Sequence, residues 1–133
     1  MSTRSRIAIE NQDGTVTSIY CHFDGYLLWN GEILQNHFQD REKVEQLIAL
    51  GDISSLTPHL NSNSGVDATI AYHRNRGEDF NQKQHTDVEN FYSEAFEMGE
   101  EYGYLFTKDN KWLVSHGGPV AELQLALAGE DVL

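Results

Sequence analysis

The chain has 133 residues, with 21 acidic against 9 basic side chains and a formal charge of −12, a length that suits a single domain over residues 1–133 whose core needs no covalent staples. A hydrophobic share of 39% with 11% aromatic residues is too high for a disordered chain. The charge repels polyanions, so direct nucleic-acid binding is not expected, and no run of about 20 apolar residues offers a membrane span.

The single cysteine, Cys21, has no intramolecular partner, and no basic start followed by an apolar run opens the chain. Both features lead us to expect a reducing cytoplasm. Residues 6–11 and 15–23 alternate apolar and polar around Gln12-Asp13-Gly14 and predict a β-hairpin. In its second strand Val16, Ser18, Tyr20 and His22 share one face, opposite Thr17, Ile19, Cys21 and Phe23. Helical spacing follows over 27–38, interrupted by Asn30-Gly31. A second helix spans 41–50, where Asp40 is the cap, Val44, Leu47 and Ile48 the apolar stripe, and Gly51 the stop.

Residues 52–66 lack periodicity and read as a loop. Val66 to His73 reads as a strand, followed by a polar turn over 74–79 and a second loop over 80–87. From the cap Asp87, the residues Val88, Phe91, Tyr92, Ala95, Phe96 and Tyr102 keep helical spacing. The stretches 102–107 and 111–115 predict a closing hairpin, and Pro119 starts a helix over 119–128. The order β-β-α-α-β-α-β-β-α predicts an α+β fold: a mostly antiparallel sheet of about five strands with helices packed on one face.

Basic residues are scarce but clustered. Arg4, Arg6, Arg74 and Arg76 flank two predicted strands, and guanidinium forks brought together would form an anion site. At the strand exits Tyr20, His22, Asp24 and Tyr26, and Tyr72 and His73, place aromatic, imidazole and charged groups on a rim. Together these ten side chains could stack a base and grip a phosphate, as a nucleotide ligand requires. The acidity runs densely from Glu78 to Glu101, and Glu89, Glu94, Glu97, Glu100 and Glu101 form a candidate surface for a basic protein partner.

An enzymatic alternative makes His22, with Asp24 orienting it, or His73 a general base. No metal-ligand motif, cofactor fingerprint or nucleophile elbow accompanies them. Self-association stays open at this level.

Four segments carry a family resemblance: Ser2-Thr3-Arg4-Ser5 with Ile7, Ile19 to Tyr26 (IYCHFDGY), Leu50 to Leu56 (LGDISSL) and Tyr72 to Glu78 (YHRNRGE). They resemble a widespread family of small uncharacterised proteins of bacteriophages, prophages and other mobile elements. The resemblance implies an accessory protein, and small acidic proteins of that origin often counter a host defence system. The leading expectation is thus a non-enzymatic inhibitor of the anti-CRISPR or anti-restriction type. A nucleotide binder and a small hydrolase are the alternatives.

Overall fold

The alternation at the start of the chain becomes two antiparallel strands, β1 (Ser5–Glu10) and β2 (Val16–Cys21), in a computed structural model that describes residues 3–61 and 68–132, with side chains to 129. Ser2 of the first family segment, together with Val66 and Asp67 of the expected third strand, lies outside the described residues. The hairpin turns through Asp13, whose carboxylate accepts from the Thr15 amide, and Gly14 at φ 89°.

After β2 the chain bends at Asp24 and Gly25. A Cβ on Gly25 would sit 2.7 Å from Ser5 Cβ and 2.9 Å from Thr3 O, so only glycine passes here. A π-helical turn (Leu27–Gly31), α1 (Glu32–His37) and α2 (Arg41–Ile48) follow. Asp40 caps α2 by accepting from the Glu42 amide, and Val44, Leu47 and Ile48 are buried as the stripe requires. Gly51 then turns left-handed at φ 76°.

Residues 53–55 do not form the expected loop. Ile53–Ser55 is β3, parallel to β2, so the preceding helices form a crossover between parallel neighbours. Among the described residues of the strand expected at 66–73, only Ile70–Ala71 is a strand, β4, and Tyr72–Arg76 coils into a short helix, α3. Asn75 Oδ1 accepts from the Ala71 amide at 2.8 Å, and Gly77 at φ 69° closes that turn.

The second expected loop holds β5 (Lys83–His85), which pairs with β2. Asp87 caps α4 (Val88–Glu97) by accepting from the Asn90 amide at 2.7 Å. Gly99 at φ 89° stops α4, which places Tyr102 on β6 (Tyr102–Phe106) rather than on the helix. β7 (Trp112–Ser115) closes the second hairpin. The last helix begins later than Pro119: β8 (Ala121–Glu122) precedes α5 (Leu123–Val132).

The α+β class holds, but the sheet is larger than expected and mixed. Its order is β4-β3-β2-β1-β6-β7-β8, with β5 also paired to β2; β1/β6 and β2/β3 are parallel. Helices also cover both faces rather than one. Ile7, Ile9, Ile19, Tyr104 and Phe106 face α1, α2 and α5 in the larger core. Ala8, Val16 and Leu105 face Phe91, Tyr92 and Ala95 of α4 in the smaller one. Each large apolar side chain buried this way contributes about 1.5–3 kcal/mol.

Candidate functional site

The face of β1 and β2 under α4 is where the sequence places polar groups among apolar ones, and there they join. Arg6 is 7% exposed; its Nε donates to Glu100 Oε1 at 3.2 Å and its Nη1 to Ser18 Oγ at 3.0 Å. Ser18 Oγ lies 2.7 Å from His85 Nε2, and His85 Nδ1 lies 2.7 Å from Glu94 Oε1. Lys83 Nζ completes the line at 3.9 Å from Glu94 Oε2.

A guanidinium can only donate, so Ser18 accepts from Arg6, and the Glu94 carboxylate accepts from His85 Nδ1–H. In the neutral ring Nε2 is then the acceptor for the Ser18 hydroxyl proton. Burial pushes the His85 pKa below its ordinary value, against the opposing pull of Glu94. The order serine, histidine, carboxylate is that of a hydrolytic triad. Yet Ser18 and His85 are 0% and 3% exposed, and neither lines any of the three clefts described below. The network braces the sheet against α4 and presents no reachable nucleophile.

Each of the four expected ligand-binding arginines has a partner within the chain. Arg6 is interior. Arg4 Nη2 donates to Gly99 O at 2.9 Å. Arg74 donates to Thr69 O at 2.6 Å and Asn61 Oδ1 at 3.0 Å. Arg76 lies over the Tyr72 ring at 5.3 Å and reaches Ser54 Oγ at 3.5 Å.

The rim aromatics are brought together in part. Tyr20 OH is 2.7 Å from His22 Nδ1, and burial raises the Tyr20 pKa while Arg4 lowers it. His73 Nδ1 donates to Glu78 O at 2.9 Å. Asp24 takes a left-handed backbone at φ 58°, and Tyr26 is exposed at the entry to the π turn. Cys21 is buried, with its thiol pushed up to about 11 by desolvation, and is no nucleophile at neutral pH.

Beside this rim lies a cleft of about 480 Å³ lined by Asp52, Tyr72, Glu78, Asp79 and Asn81. Asp52 accepts from the Tyr20 amide at 2.9 Å, filling the gap left along β2 between the residues paired with β5 and with β3. Burial holds its carboxyl above the usual range. Asp52 stood in the sequence only as part of the LGDISSL segment, with no role of its own, and Asn81 did not stand out, because each comes from a stretch without periodicity. A second cleft, of about 410 Å³, is bordered by amides including Gln35, Gln39 and Gln124, and a third, of about 340 Å³, lies beside Trp29.

The candidate acidic surface is smaller than expected. Glu100 is buried against Arg6, and Glu94 is bound to His85 and Lys83. Glu89, Glu97 and Glu101 remain exposed, as do Glu78 and Asp79, and none of the five is ion-paired among the described residues. Among those residues no group of three or more His, Cys, Asp or Glu is placed to hold a metal ion, and no helix is long and apolar enough to cross a membrane. No protein-family model matches the chain, and no curated protein or solved structure is similar to it.

Proposed function

We propose that this chain is a non-enzymatic inhibitor encoded by a bacteriophage or related mobile element. It acts in the host cytoplasm and docks an acidic surface onto a basic face of a defence protein of the restriction or CRISPR type. One contrast carries the reading: Arg4, Arg6, Arg41, Arg74 and Arg76 are all engaged within the chain, whereas Glu89, Glu97 and Glu101 stand exposed and unpaired among the described residues. The outward field is therefore negative, and it favours encounter with a positive partner. The family resemblance supports the mobile-element setting.

The nucleotide alternative rests on Arg76 over Tyr72, but the carboxylates of Asp52, Glu78 and Asp79 line the cleft beside that ring and oppose a phosphate. The test is electrostatic. Tagged chain mixed with lysate from a cell carrying a restriction or CRISPR effector retains that effector at low ionic strength and releases it as salt rises. The triple reversal Glu89→Lys, Glu97→Lys, Glu101→Lys retains none. Retention indifferent to both salt and the reversal contradicts the proposal.

A further inference from the structure

Large apolar side chains left in water are concentrated where the backbone is least regular. Leu28 and Trp29 are 48% and 42% exposed, and both belong to the π turn. That turn closes with bonds from Gly31 N to Tyr26 O at 3.4 Å and from Glu32 N to Leu27 O. It buries Asn30 and Gly31, and Asn30 Nδ2 donates inward to Ser5 Oγ at 3.1 Å. The neighbouring Leu28 and Trp29 are thereby presented outward, and turns of this kind recur at functional sites.

Both side chains line the 340 Å³ groove with Ile33 and Pro58. Its walls come from separate segments, the π turn with α1 on one side and residues 56–60 on the other, and two ties hold them. Trp29 Nε1 donates to Leu56 O at 3.3 Å. Lys43 Nζ donates to His37 O at 2.7 Å and to Pro58 O at 3.0 Å. The groove is therefore built before any ligand arrives, which lowers the entropy lost on binding. Among the described residues Glu32 is the carboxylate that lines it, and the neighbouring Lys43 ammonium is taken up by the His37 and Pro58 carbonyls.

We infer that this groove takes the apolar side of a positively charged amphipathic helix of a partner protein. Two large apolar side chains at i and i+3 or i+4 seat on Leu28, Trp29 and Ile33, and flanking Lys or Arg side chains meet Glu32. A chain of charge −12 favours such a partner and repels a second copy of itself. This inference rests on the protein-binding reading, but it moves the anchor from α4 to the π turn.

The probe is a short helical peptide of leucine and lysine with one apolar stripe, and a leucine–glutamate peptide serves as control. Trp29 reports on the groove, because Trp112, at 4% exposure, is already buried. The lysine peptide shifts Trp29 emission to the blue saturably, the glutamate peptide does not, and Leu28→Ser weakens binding about tenfold or more, as for an interface anchor. Circular dichroism checks that the variant is folded.

If binding survives Leu28→Ser and Leu28→Lys but is lost on Glu89→Lys with Glu97→Lys, the groove inference falls while the acidic-surface reading stands. If the lysine peptide binds no form of the chain at low ionic strength, both fall. A dimer in sedimentation that Leu28→Lys dissociates makes a second copy the occupant and overturns the inference.

Discussion

Ser18 Oγ sits 2.7 Å from His85 Nε2, joining two residues 67 positions apart in the chain. Through Arg6 and Glu94 that bond connects β1, β2, β5, α4 and the turn after α4. A buried polar line of this kind rigidifies a core through its partnered members and becomes costly when one is lost, and Glu100 Oε2 is already buried without a hydrogen-bond partner.

Ser18→Ala removes the acceptor for Arg6 Nη1 and the proton held on His85 Nε2. Two buried groups lose a partner, at about 1–3 kcal/mol each. Urea denaturation should show a loss of about 2–6 kcal/mol, with no labelling of the wild-type chain by serine-directed phosphonates. Strong labelling that Ser18→Ala abolishes would make the network catalytic.

The same network sets a pH dependence. Burial lowers the folded-state His85 pKa below 6.5, so on acidification the unfolded chain takes up this proton first. The stability it contributes is complete above about pH 6.5 and is lost as pH falls below that value. Wild type should lose more stability than His85→Asn between about pH 7.5 and pH 5.5. An equal loss in both chains removes His85 from the account.

Asp52 has the opposite sign. Its folded pKa lies above 3.8, so its charged form costs stability at neutral pH, a cost relieved as pH falls through the raised value. Asp52→Asn keeps an oxygen for the Tyr20 amide and should leave stability at neutral pH equal or higher. Asp52→Ala strips that amide of its acceptor and should cost about 1–3 kcal/mol. Equal losses in the two variants would mean that the carboxylate charge itself is needed.

Nucleotides provide a separate check. With Arg4, Arg6 and Arg74 held by internal acceptors and carboxylates lining the cleft at Tyr72, a set of mono-, di- and trinucleotides should leave the melting temperature unchanged. A rise that Arg76→Ala abolishes would restore the nucleotide-binding alternative.

Much of this fold can be read from local chemistry. Alternation in the first hairpin places Ser18 and Tyr20 on one face of β2 and Ile19 and Cys21 on the other, and the caps Asp40 and Asp87 open the two helices expected of them. The strands β3 and β5 escape because three residues cannot display a period of two, and KQH is too polar to resemble a strand. Their partner is the edge of β2, which only the folded chain provides.

The site was less legible for a related reason. Nothing local to Arg6 announces Glu100, 94 residues away, so an arginine expected at a ligand's anion site proves to be interior, and a glutamate expected at the surface is buried with it. One signal was present. Arg6 and Ser18 occupy the same strand face as Ala8 and Val16, and that mixture of polar and small apolar groups marks a second covered face.

The central claim is inhibition through exposed carboxylates, and phage plating tests it most directly. Bacteria with an active restriction or CRISPR system, expressing this chain, are challenged with a phage that the system blocks. We expect plating to be restored by wild type and by Ser18→Ala, provided the latter still folds, and lost with Glu89→Lys, Glu97→Lys, Glu101→Lys at equal expression. Restored plating that the triple reversal leaves untouched, or no restoration against any restriction or CRISPR system tried, would contradict it.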